Sequence, residues 1–323
     1  MTGLVRRLLR RELFSSVLLQ RNASISHASY SNDREAKEEP ENTTHFGFET
    51  VTEEEKEQKV YDVFENVSEK YDLMNDAMSA GVHRLWKDYF ISRLAPLPGT
   101  KLLDVAGGTG DIAFRFLQYA KSGELEESKE DFDVKSDVLD KSGRAEGVDG
   151  ASNPEADDGT THVTVCDINQ AMLDVGKRKA DMLGQREGVT WIRGNAEHLP
   201  MPDDTYDAYT IAFGIRNCTH IEKVLEEAYR VLKPGGRFMC LEFSHVPNPL
   251  IKSLYDLYSF QVIPVMGQVL AADWKSYQYL VESIRKFPDQ QEFSYMIEDA
   301  GFSVVKHENL SFGVAAIHSG FKL

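Results

Sequence analysis

From residue 101 to residue 244, short apolar runs alternate with amphipathic stretches. The run Leu102 to Ala106 predicts a buried parallel strand, followed by a helix that opens at Asp111. His162–Asp167, Val189–Gly194, Tyr206–Phe213 and Arg237–Ser244 predict four more strands. Helices are expected between them at Ile168–Leu183 and Thr219–Leu232, the second stopped by Lys233-Pro234-Gly235-Gly236. Downstream, Trp274–Ile284 and Gln290–Ala300 read as helices. Phe302–Phe312 and Val314–Phe321 read as a strand pair that closes the sheet. The expected fold class is therefore α/β and Rossmann-like, a mostly parallel seven-stranded sheet with helices on both faces.

Three stretches lie outside that sheet. Glu53–Phe64 has helical spacing, with Val60, Val63, Phe64 and Val67 on one face. Tyr71 to Trp86 is dense in aromatic and hydrogen-bonding side chains, which suits either a cap over the sheet or an ordinary helical pair. Leu250 to Ala272 is apolar and aromatic, with Pro264 and Gly267 as expected breaks. It reads as buried core, or as a lid that meets a greasy substrate or a bilayer surface.

The ends and one internal segment depart from this pattern. Residues 1–32 carry arginines at positions 6, 7, 10 and 11 among leucines, then serines, with Glu12 the one acid. That composition predicts a mitochondrial transit peptide. Residues 33–50 are polar and acidic and are expected to form a disordered linker. Residues 51–323 are expected to form the folded domain, interrupted at about 121–160 by a Glu-, Asp-, Ser-, Lys- and Gly-rich stretch. Such a stretch buries too little apolar surface to offset its ordering entropy and is expected to be a disordered acidic insertion.

Composition narrows the function. The net charge is -16, so nucleic-acid binding through a basic face is not expected. Cys166, Cys218 and Cys240 are scattered, and the nine histidines show no metal-ligand spacing, so no resident metal is expected. No apolar run reaches the length of a membrane span.

The candidate chemistry sits at strand tips. Asp104 ends the first strand, and Gly107-Gly108-Thr109-Gly110 turns into the following helix, where missing Cβ atoms let backbone approach a ligand. Gly108-x-Gly110-x-x-Ala113 also satisfies the dinucleotide fingerprint, so a nicotinamide-dependent reductase remains an alternative at this point. Asp104 favours a cationic ligand over a pyrophosphate, because like charges at this range repel, and S-adenosylmethionine is the cation that fits. Asp167 ends the second strand, where a carboxylate reaches ribose hydroxyls. Asn195 and Ala196 follow the third strand, within reach of an adenine edge. Arg216 and Asn217 follow the fourth and face the crevice.

Several of these segments resemble one family. Tyr71 to Trp86 looks like the first signature of the UbiE-type quinone-biosynthesis C-methyltransferases, and Arg230 to Ser244 resembles the second. Asp104–Asp111, Asn195–Pro200 and Phe213–Asn217 agree as well, and the resemblance runs from about Glu54 to the C-terminus apart from the insertion. It implies a class I S-adenosylmethionine-dependent methyltransferase that C-methylates a polyprenylated methoxy-benzoquinol ring in ubiquinone biosynthesis. It implies cofactor contacts at Thr109, Asp167, Asn195 and Ala196. It also implies a peripheral place on the matrix side of the inner mitochondrial membrane, beside other ubiquinone-biosynthesis proteins, and admits a homodimer. For the chemistry, Arg216 is expected to stabilise a developing phenolate, Asn217 and Tyr71 to orient the ring, and Asp72 or His83 to complete a proton relay. A non-catalytic scaffold subunit is the remaining alternative.

Overall fold

The computed structural model describes residues 43–122, 160–271 and 274–323. The expected transit peptide and most of the expected insertion lie outside them, as does the linker up to residue 42. Its remainder is not disordered: β1 (Thr43–Phe46) and β2 (Glu49–Thr52) form an antiparallel hairpin. Tertiary contacts override the polar composition here. Val51 is buried, Phe46 stacks on Tyr279 at 4.0 Å, and the Phe48 amide donates to Glu282.

The main sheet has seven strands in the order β5-β4-β3-β6-β7-β9-β8. These are β3 (Lys101–Val105), β4 (His162–Asp167), β5 (Val189–Arg193), β6 (Tyr206–Ala212), β7 (Leu232–Phe243), β8 (Ser303–Leu310) and β9 (Ala315–Phe321). Strands β3 to β7 pair in parallel, while β9 runs antiparallel to both neighbours. Consecutive residues go to opposite faces, as a pleat requires. Leu103, Tyr209 and Cys240 enter one core with α6 (Ile221–Val231) and α10 (Gln290–Asp299); Leu102, Ala208 and Met239 enter the other with α3 (Val82–Leu94) and α4 (111–122). The chain leaves β3 towards β4 and later returns to β6 on its other side. That reversal opens a crevice at the carboxyl ends of β3 and β6.

Boundaries shift where local chemistry decides. Asn169 caps α5 (Gln170–Leu183) by accepting from the Met172 amide, so the helix starts two residues later than expected. Lys233-Pro234-Gly235-Gly236 does not end a helix; Leu232 already pairs with Tyr206, and the bulge precedes the Ala208–Arg237 pair. The apolar stretch after β7 forms α7 (Pro249–Gln261) and α8 (Ile263–Ala271), and α9 (Trp274–Lys286) follows. The break falls at Val262, and Pro264 sits in the first turn of α8, where its missing N–H is no loss. With α1 (Glu53–Val67) and α2 (Tyr71–Ser79), these helices lie outside the sheet, and α2, α8 and α9 share a small core of Met74, Ile263, Tyr277 and Val281.

Candidate functional site

Two cavities adjoin at the strand tips. The first, about 300 Å³, is lined by Asp104, Asp167, Asn195, Ala196, Asn217 and the turn Gly107-Gly108-Thr109. Asp104 is fully buried: Oδ1 accepts from Thr210 Oγ1 at 2.8 Å, and Oδ2 has no partner. Burial pushes its carboxyl up to about 7. Asp167 accepts from the Gly108 amide at 2.9 Å and the Asn169 amide at 2.8 Å, tying the turn to β4, and burial pushes it up to about 6. An orphaned buried carboxylate oxygen beside a second acid, with amide side chains at the opposite wall, fits a cationic nucleoside. A Cβ on Gly107 would stand 2.7 Å from Asp104 Oδ2 and fill this cradle.

Gly110 was expected at the cofactor. It does not line the cavity; at φ +81° its α-carbon backs onto Trp191, which a Cβ would meet at 2.6 Å. Gly107 takes the lining position instead.

The second cavity, about 500 Å³, is mostly apolar: Met74, Trp86, Phe243, Tyr255, Tyr258 and Ile263 contribute walls. Phe64, Tyr71, Lys87 and Phe213 line both cavities. Phe213, at the tip of β6, holds φ at 57°, and Ala106, at the tip of β3, holds it at 49°. Two side-chain-bearing residues in the left-handed region at one crevice mark stored strain.

The expected substrate-side residues divide. Tyr71 lies on the shared wall and Arg216 in the apolar cavity. Arg216 is 5% exposed, donates to Glu242 Oε1 at 2.9 Å and stands 5.5 Å over the Phe243 ring. Its charge is therefore already matched. Asn217 accepts from the Tyr279 hydroxyl at 3.0 Å, while its Nδ2 has no partner. His83 is buried in the apolar cavity, and its Nε2 lies 2.9 Å from Asp76 Oδ1. Asp72 is not brought to either cavity: it pairs with Lys179 and accepts from Thr109, fastening α2 to α5.

Sequence reasoning missed Asp76, Lys87 and the role of α1. The apolar stripe of α1 does not pack on the sheet. Val60 and Phe64 roof the first cavity, and Val63, Phe64 and Val67 line the second. Lys56 fastens this roof to the Cys218 carbonyl at 2.9 Å, and His220 bridges Glu53 and Glu197 at 3.0 and 2.8 Å. Lys87 is buried and bonded to Asp111 at 2.7 Å. Asp76 and Lys87 stand on different helices, and the sequence gave no sign of which neighbours they would meet.

The strand order, the glycine turn and the acids at two strand tips define a class I S-adenosylmethionine-dependent methyltransferase fold. Among solved structures, the [4+2]-cyclase SpnF has this fold (TM-score 0.52, 15% identity, 82% of this chain and 95% of that one). So does a methyltransferase from Thermotoga maritima (TM-score 0.50, 16% identity, 82% and 100%). The chain belongs to the ubiE/COQ5 methyltransferase family, which matches residues 52–322; it is a methyltransferase, and its cofactor is S-adenosylmethionine. It is 61% identical over 280 residues to the Homo sapiens protein named 2-methoxy-6-polyprenyl-1,4-benzoquinol methylase, mitochondrial (87% of this chain, 84% of that one). The Danio rerio protein of the same name is 56% identical over 311 residues (96% and 92%). Family membership does not favour the reductase and scaffold alternatives. Among the described residues, no helix is long and apolar enough to cross a membrane.

Proposed function

We propose that this chain methylates a ring carbon of a polyprenylated methoxy-benzoquinol, a step in ubiquinone synthesis. The observation that carries the reading is the shared wall. A polar cavity suited to a cationic nucleoside meets a larger apolar cavity at Phe64, Tyr71, Lys87 and Phe213. A methyl group has to cross such a boundary between donor and greasy ring. S-adenosylmethionine, when bound, supplies an electrophilic methyl group and departs as a neutral thioether.

The chain's own residues then divide the work. Asp104, with Thr109 and Gly108 beside it, favours a cation; Asp167 reaches ribose hydroxyls; Asn195 and Ala196 meet the adenine edge. Arg216 and Lys87, paired with Glu242 and Asp111, line the apolar side, and Tyr71 and Asn217 hold the ring in line. Closing such a site from water strengthens each of these interactions.

Residues 1–32 are read as a transit peptide, 33–50 as a linker whose last residues belong to the β1–β2 hairpin, and 51–323 as the methyltransferase domain, carrying the acidic insertion. The relatives' names support a mitochondrial place. A peripheral position on the matrix side of the inner membrane accords with the exposed leucines of α7. Assembly with other ubiquinone-biosynthesis proteins, and self-association as a homodimer, belong to the same reading.

The test uses methyl-labelled S-adenosylmethionine and a demethyl methoxy-benzoquinol with a short prenyl tail. Label on a ring carbon, located by carbon NMR, is the expected result. Label on oxygen, or none on the quinol, overturns the reading.

A further inference from the structure

We propose that His83, held by Asp76, is the catalytic residue that takes the phenolic proton of the quinol through its Nδ1. This inference rests on the C-methylation reading above and names the proton acceptor within that site.

The geometry is specific. Asp76 accepts from Arg84 Nε and Nη2, both at 2.6 Å, so α2 and α3 are bolted together and the carboxylate is fixed. Its Oδ1 also lies 2.9 Å from His83 Nε2. A carboxylate only accepts, so the neutral imidazole carries its hydrogen on Nε2 and presents a lone pair at Nδ1. That Nδ1 is buried without a hydrogen-bond partner, on a side chain that lines the apolar cavity beside Tyr71, Phe213 and Arg216. An orphaned acceptor on a side chain that lines an apolar cavity is expensive unless a hydroxyl from that cavity reaches it.

The competing groups are already committed. Arg216 is ion-paired with Glu242. Asp72 is paired with Lys179 outside both cavities. Tyr255 and Tyr258 are pushed up by burial and remain neutral phenols.

The charged groups around His83 are Asp76 on α2, Lys87 on α3 and Asp111 on α4. Burial lowers the His83 imidazole below its ordinary value, ahead of the opposing pull of Asp76, so the base form prevails at neutral pH. Asp76 is held well below the carboxylate range by Arg84 and then His83, so it stays ionised. In the step itself, the O–H bond breaks, its proton moves to Nδ1, and the electron pair flows into the ring. The ring carbon takes the methyl group as the C–S bond breaks onto sulfur. The ring C–H proton then leaves, the proton on Nδ1 returns to the quinol oxygen, and one proton in total reaches solvent.

The experiment compares wild type, His83→Gln and Asp76→Asn with labelled S-adenosylmethionine and the short-tailed quinol from pH 5 to 9. Gln keeps a donor for Asp76 and removes the base. The expected result is a fall in kcat of about 10²-fold or more for His83→Gln, with cofactor Kd within about 2-fold by calorimetry. Imidazole should restore part of the rate to His83→Ala. Asp76 is a positioning residue, and Asp76→Asn should lower kcat less and move the acid limb of the pH profile downwards, because the carboxylate that supports the imidazolium is gone. If wild type methylates ring carbon but His83→Gln keeps kcat within about 3-fold over the whole range, the proposal fails and the function stands. If wild type puts no methyl on ring carbon, the function itself fails. Should His83→Gln not fold, the acid limb of Asp76→Asn decides: an unmoved limb overturns the proposal.

Discussion

Asp104 combines two opposed demands. A cationic donor favours its ionised form, whereas full burial with one orphaned oxygen favours the acid. Its folded value of about 7 stands above the ordinary 3.8. Between those values the folded chain holds a proton that the unfolded chain has lost, so stability falls as pH rises through this window. The upper limit of the loss is about 4 kcal/mol, from roughly three pH units at about 1.4 kcal/mol each. Asp167, pushed up to about 6 by burial, contributes with the same sign over a narrower range. Asp104→Asn should therefore raise the melting temperature of the cofactor-free protein at pH 8 and flatten its decline between about pH 4 and pH 7. It should also weaken S-adenosylmethionine binding and remove most of the loss of affinity on acidification through pH 7. Calorimetric titrations at pH 6 and 8 check both; equal affinity in wild type and variant would separate Asp104 from the donor. The sequence showed this residue because a strand, a glycine turn and a helix are contiguous. It did not show Asp76, whose importance depends on how α2 folds back on α3 to bring Arg84 and His83 to one carboxylate.

At the scale of elements, the tip of β7 and the turn after β6 are joined by one buried ion pair. Glu242 is 1% exposed and accepts from Arg216 and from the Phe243 amide. Burial raises the Glu242 carboxyl, chiefly against the pull of Arg216. Removing either partner strands the other, at a cost of about 3–5 kcal/mol. Arg216→Ala should thus lose activity and also melt early, so it cannot by itself separate chemistry from folding. Arg216→Met combined with Glu242→Gln should recover most of the stability, measured by urea unfolding. If the double variant also recovers turnover, Arg216 has no part in the reaction. The alternation of apolar runs was enough to read all seven strands: β3, β4, β6, β7 and β9 carry runs of buried residues, while the edge strands β5 and β8 announced themselves by β-branched residues and by the turns around them. The hairpin at 43–52 and the roof formed by α1 were not legible. Phe46 finds Tyr279 more than two hundred residues away, and the valines of α1 face cavities that α2, α7 and α9 complete. A helical stripe announces that it will be covered, without naming the cover.

For the whole molecule, charge and apolar surface make different demands at a membrane. A net charge of -16 gives no attraction to an anionic leaflet. Leu250, Leu254 and Leu257 form one stripe of α7 and are 73%, 63% and 62% exposed. Tyr255 and Tyr258 on the same helix line the apolar cavity, so α7 stands between that cavity and the outside. A polyprenyl tail leaving the cavity would emerge beside this stripe. The proposed membrane association should therefore follow apolar burial and be indifferent to salt and to anionic lipid. Burying a leucine contributes about 1.5–3 kcal/mol, and partial immersion of two less than twice that, so Leu254→Ser with Leu257→Ser should weaken vesicle binding by roughly 10–100-fold. Turnover on a short-tailed quinol in solution should be unchanged, while turnover on a long-tailed quinol in vesicles should fall with the binding. Flotation with neutral and anionic vesicles at low and high salt makes the measurement. Binding that needs anionic lipid, vanishes in salt and ignores both leucines would move the membrane contact away from α7.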